Sequence, residues 1–232
     1  MTLLRIDAAG MRPLVHGSGV PAWPLLAELA HAGDGPIVTM IHGYSFIPGH
    51  PRRCPHGHIL GRHARPACRK ALSWPRALDL GEAGSGARAG IAFGWHAQGS
   101  LRTAWHRAET AGRALASAVE VLRATAPRRP VHVVAHSLGA RVALAAVRHA
   151  APGAFGRLLL LSGAEFGGAA AQALTAPGGA RAEIVNVTSE ENRLFDLLLE
   201  ALLPEPARRG TPLGRGLPPH PRARTLRLDD AA

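Results

Sequence analysis

Residues 131–144 read Val131-His132-Val133-Val134-Ala135-His136-Ser137-Leu138-Gly139-Ala140-Arg141-Val142-Ala143-Leu144. The first half is a short β-branched apolar run, as a buried strand requires, and the second half spaces its apolar residues as a helix does. Ser137 stands where one period gives way to the other. A turn that sharp folds the backbone on itself, so small residues must flank it. Ala135 and Gly139 occupy the two flanking positions of a G-x-S-x-G pattern, with Ala in the first. Such a turn lifts the serine hydroxyl clear of a sheet, while the following helix directs its first N–H groups at developing negative charge. Ser137 is thus a candidate nucleophile. The competing reading, a helix N-cap, accounts for the serine but not for the small residues two positions to either side.

Outward from this stretch, short buried runs alternate with helical ones, which predicts βαβ units on a mainly parallel sheet. Pro36–Ile41 and Gly90–Trp95 read as strands before it, with a helix over Leu101–Ala126 stopped by Pro127. Arg157–Leu161 and Glu183–Val187 read as strands after it, followed by a helix over Leu194–Leu203. Two stretches break the rhythm. Ser45–Ala89, rich in His, Arg, Pro and Gly, reads as a long excursion from the strand ends, and Pro204–Arg224 reads as irregular. The chain of 232 residues is expected to form one domain, 1–232.

With these elements in place, the chain resembles the α/β-hydrolase superfamily from about Pro36 to Leu203, on the Ser137 turn and on His42-Gly43-Tyr44 at the end of the earlier strand. Gly90–Trp95 (GIAFGW) followed by a helix looks like the bacterial esterase-like branch. The resemblance implies an α/β fold, a doubly wound parallel sheet with helices on both faces, and hydrolysis of an ester or related acyl bond without a cofactor. It implies an oxyanion hole built from the N–H of Leu138 and that of Tyr44 or its neighbour, with Gly43 letting the backbone approach the reacting carbonyl. The implied order of residues is serine, acid, histidine. Glu191 is the expected acid, with Glu190 second; Asp196, inside the next helix, stays open as a third candidate but reads first as a solvated charge. After Glu191 the only histidine is His220. Either His220 reaches Ser137 from an irregular loop, or the segment that normally bears the base is absent and the C-terminal end is incomplete. His136 precedes the serine in the turn, so its ring is expected to pack or hydrogen-bond rather than act as base.

Composition bounds the alternatives. Two cysteines exclude a disulfide framework. No apolar run is long enough to span a membrane, and no basic-then-apolar leader opens the chain, so a soluble, cytoplasmic protein is expected. Lys and Arg outnumber Asp and Glu 27 to 16, giving +11, but Lys70 is the only lysine and the arginines are scattered, consistent with a GC-rich coding bias. No nucleic-acid partner is expected from such a pattern; the expected partner is a small ester or acyl substrate, and the oligomeric state is left open. His50, Cys54, His56, His58, His63 and Cys68 crowd the excursion. Their spacing matches no pair of close ligand couples and the loop offers no rigid frame, so the expectation is no metal and a loop lining the substrate pocket. His56 and His58 could hydrogen-bond substrate or each other, and Trp74, Trp95 and Trp105 read as core or pocket wall. Two other readings stay open: a fold-retaining binding protein, and a metal-binding protein centred on residues 50–68.

Overall fold

A computed structural model of the chain describes residues 3–63, 72–80, 88–203 and 209–229. Its strands are β1 (Leu3–Ala9), β2 (Arg12–Val15), β3 (Ile37–Ile41), β4 (Ala89–Gly94), β5 (Val131–His136), β6 (Phe155–Leu161), β7 (Glu183–Thr188) and β8 (Ala223–Arg227). They form one eight-stranded sheet in the order β2-β1-β4-β3-β5-β6-β7-β8. Only the β1–β2 hairpin is antiparallel; every other neighbouring pair is parallel. The helices are α1 (Trp23–His31), α2 (Trp74–Ala77), α3 (Leu101–Thr125), α4 (Gly139–His149), α5 (Gly167–Thr175) and α6 (Asn192–Leu202). No described helix is long and apolar enough to cross a membrane.

Parallel strands buried on both faces need mainly apolar side chains, and β3 and β4 supply them, with Thr39 the one buried polar side chain of the two. On β3, Ile37 and Ile41 join the large core with α1, α3 and α4, while Met40 of the same strand packs with Ala92, Leu60 and Leu80 on the opposite face. That second core is closed by Trp74 of α2 and by Ile59 and Leu78, so the excursion folds back over the sheet. The Ala-rich composition serves helix packing. At Gly112 a β-carbon would lie 2.4 Å from the Ala145 Cβ, so α3 and α4 approach more closely than larger side chains would allow.

The chain leaves β3 for β4 on one side and returns to β5 on the other. This reversal separates the loops after β3 and β5 from their crossover helices and leaves the two strand ends facing each other, the place where open α/β sheets bind ligands.

Several elements lie outside the sequence expectation. The β1–β2 hairpin, α1 and α5 carry weak periodicity, with Gly, Ala and Pro where stronger signals would sit. The Thr225–Leu228 segment is strand-like in sequence and forms most of β8, the edge of the sheet.

Candidate active site

Ser137 follows the last residue of β5 and has φ of 52°, in the left-handed region that a β-carbon disfavours. The strain is held from both sides. Its N–H donates to the carbonyl of Leu161 (3.0 Å), and its own carbonyl accepts from Ala164 N–H (3.0 Å). A β-carbon at Gly139 would lie 2.7 Å from the His42 carbonyl oxygen and 2.8 Å from that of Ile41, so the helix start presses directly on the end of β3. The first position of the pattern is less demanding, and Ala135 fits there fully buried.

Across the switch point, a β-carbon at Gly43 would lie 2.8 Å from the Ser137 Cβ and 2.9 Å from His136 Nδ1. Only glycine lets the two loops approach this closely. Among the described residues no acceptor is placed against the N–H of Tyr44 or of Leu138. Those donors, with the N-terminus of α4, are what a developing oxyanion needs. The Tyr44 ring is anchored through its hydroxyl, which donates to the Gly99 carbonyl.

His42 supports this loop without joining it. It is fully buried; its Nδ1 donates to the Gly43 carbonyl (2.8 Å) and its Nε2 accepts from Trp95 N–H (3.0 Å). Burial pushes its pKa down to about 3, so the imidazole is neutral and structural. The Trp95 indole N–H returns a bond to the His42 carbonyl (3.0 Å). Trp95 and Trp105 are core residues, and Trp74 meets the His136 ring edge-on. His136 is itself exposed.

The expected acids and base distribute differently. Glu191 and Glu190 follow β7 at the same end of the sheet as Ser137, two strands away, and both are exposed. His220 lies at the other end. It sits in the turn that enters β8, and Ala223 is level with Ile184 at the start of β7, whereas Ser137 lies past the last residue of β5. Along the strands and across them this is a separation of more than about 20 Å. The structure therefore does not bring His220 to Ser137, because a parallel last strand is entered at the N-terminal rim and His220 sits in the turn that enters it. Among the described residues no side chain hydrogen-bonds the Ser137 hydroxyl.

Asp196 corrects the sequence expectation outright. It is 5% exposed, not solvated, and its carboxylate lies against the backbone of Gly214, where a β-carbon would come within 2.0 Å of Oδ2. Burial raises its pKa to about 6, with Glu200 adding to the rise and Arg215 opposing it. The rest of α6 is inverted: Leu194, Phe195, Leu197, Leu198 and Leu202 are all exposed. Nearby, a cavity of about 380 Å³ is lined by Ser189, Glu190, Arg193, Leu197, Gly214, Arg215 and Arg227.

Sequence reasoning missed two features. Glu165, just after β6, is buried and ion-paired with Arg141 of α4 (2.7 Å), whose guanidinium also bonds the Trp105 carbonyl (2.9 Å) and covers the Trp105 ring. This clamp fixes the first turn of α4 against α3, and its only sequence signal was an arginine soon after Gly139. The second is at the histidine-rich excursion. His56 bonds Asp7 of β1 (2.7 Å) rather than His58, and His16, just after β2, bonds the other oxygen of the same carboxylate (2.7 Å). For the described part of this cluster, residues 50–63, the frame is the β1–β2 hairpin. His58 instead meets the Phe46 ring edge-on (5.1 Å between centroids). Cys68 lies outside the described residues.

Residues 78–158 fit the family model of an alpha/beta hydrolase of unknown function (DUF900), a span that runs from the end of the excursion through the Ser137 turn into β6. The chain has an α/β-hydrolase fold. Neither the curated proteins nor the solved structures contain a match to it. Within this α/β-hydrolase fold, the matched span holds β4, β5 and the turn, but not His42-Gly43-Tyr44 or the segments after β6.

Proposed function

We propose that this α/β-hydrolase-fold protein is a serine hydrolase of ester or related acyl bonds. Ser137 adds to the acyl carbon, and the N–H groups of Leu138 and Tyr44 receive the charge that develops on the carbonyl oxygen. Gly43 supplies the close approach, Glu191 is the acid of this reading, and the mechanism needs no cofactor. The observation that carries the proposal is the left-handed Ser137, held at φ of 52° opposite Gly43, with the N–H groups of Tyr44 and Leu138 unpaired among the described residues. A strained non-glycine residue at a strand-to-helix turn costs stability, and a reactive role accounts for keeping it. His220 is not the proton acceptor of this reading, because it lies at the other end of the sheet from Ser137.

The test is labelling of the full chain with a fluorophosphonate, followed by peptide mapping. Modification is expected at Ser137, absent in Ser137→Ala, and unchanged in His220→Ala. Turnover of short p-nitrophenyl esters should fall to background in Ser137→Ala with the fold retained. A second reading, a binding protein that keeps the hydrolase fold, is favoured by the Ser137 hydroxyl having no hydrogen-bonded histidine among the described residues. Absence of labelling in folded protein would select it.

A further inference from the structure

Asp7, His16 and His56 come from three separate places in the chain: β1, the end of the β1–β2 hairpin, and the 45–63 part of the excursion. Their ligand-type atoms nonetheless all lie within 4.8 Å of one another. We propose that these three side chains form a binding site for one zinc-class divalent ion, with Asp7 O, His16 Nδ1 and His56 Nε2 as ligands and a fourth position open to water.

The donor set is the first support. One carboxylate and two neutral imidazoles suit zinc, and three protein ligands with an open place is an arrangement that zinc adopts. Local construction is the second. A β-carbon at Gly94 would lie 2.3 Å from Asp7 Oδ1 and 2.7 Å from His56 Nε2, so a bare backbone is what allows the carboxylate and imidazole to converge. The two imidazole rings stand 4.0 Å apart, which suits neutral rings and opposes two charged ones. The third is the expense of His56. Its side chain is 1% exposed and, among the described residues, its Nδ1 has no partner and Asp7 is the only group its Nε2 bonds. An imidazole so deeply buried is costly unless its one bonded nitrogen meets something strong.

Cys54 completes the arrangement from outside the ligand set. Its Sγ lies 3.7 Å from His16 Nε2, the nitrogen left over when Nδ1 binds the ion. A partner on the second nitrogen fixes the ring's orientation and tautomer, as bound histidines commonly require. Access is available because the side chains of Asp7 and His16 keep 18% and 17% exposure. The site stands at the same rim as Ser137 but three strand spacings away, about 14 Å. It does not depend on the hydrolase proposal. Its effect would be mechanical: the ion would tie the hairpin to the 45–63 loop, which also carries Phe46 against His42.

The experiment is titration of the metal-stripped full chain with Co²⁺, followed by displacement with Zn²⁺. One equivalent of Co²⁺ should give the intense visible bands of a four-coordinate ion, with no thiolate charge-transfer band. Zn²⁺ should bleach them at one equivalent and raise the thermal midpoint. In His56→Gln and His16→Gln the Kd should rise by about 100-fold or more, and in Cys54→Ser by about 10-fold. His149→Gln, a surface histidine, should bind as the parent does. Folded parent protein that takes up no stoichiometric ion, or that keeps its affinity in His16→Gln, overturns the proposal. The parent titration decides the question even where a variant fails to fold.

Discussion

At Ser137 the backbone pays for its position, and the cost can be measured. Glycine tolerates φ of 52° where serine does not, so Ser137→Gly should raise stability by about 1 kcal/mol, or roughly 2–4 °C in Tm, and on the proposed function should abolish hydrolysis. The opposite change at the facing loop should be harmful. In Gly43→Ala the new methyl meets the Ser137 Cβ at 2.8 Å, and we expect a loss of about 2 kcal/mol together with ester turnover. His42 predicts a pH effect. Its folded pKa, about 3, lies below its unfolded value near 6.5. The unfolded chain therefore binds the extra proton between those values, and stability falls as pH drops through that window, by up to about 1.4 kcal/mol per pH unit from this group. Denaturant melts of His42→Gln should lose that part of the slope.

At the scale of elements, α6 shows why part of the site was hidden from the sequence. The run Leu194–Leu203 has helical periodicity, and a periodic apolar face is ordinarily the buried one. Here the helix turns Asp196 and Leu199 inward and leaves five large apolar side chains outside, so the solvated-charge reading of Asp196 failed. The strand-turn-helix at 131–149 was fully legible because Val, Gly and Ser each answered a separate steric demand. His220 was not placeable, since only the pairing of Ile184 with Ala223 reveals which end of the sheet it occupies. The same pairing logic hid Asp7 and His16, which lie 49 and 40 residues before the His56 that they frame. For α6 the expected consequence is testable. Replacing Leu194 and Phe195 by Gln should change Tm by less than about 2 °C, as surface substitutions do, and reduce binding of an apolar dye. Asp196→Asn should stabilise the fold at pH 8, where the buried carboxylate is charged, and lose that advantage below pH 4.

For the molecule as a whole, the arginine excess acquires a structural account. Arg129 is buried and gives bonds to the carbonyls of Leu29, Ala30 and Gly35, closing the end of α1. Arg222 reaches the carbonyls of Leu174, Gly179 and Ala182, joining the end of α5 to the entry of β8. Two of the scattered arginines are thus joints between layers. Arg222→Met should cost about 2–3 kcal/mol in chemical denaturation, because several carbonyls lose a charged donor at once.

The bonds that hold Ser137 also set a schedule for the protein's synthesis. Leu161 and Ala164, which fix its two peptide groups, follow the strand, the serine and all of the matched family span in the chain, and so are made after them. A nascent chain carrying residues 1–149 has every atom of the proposed nucleophile and nothing to keep the turn strained. On the proposed function, reactivity toward acyl groups would then begin only when β6 and the loop beyond it have emerged and paired, with six of the eight strands already made.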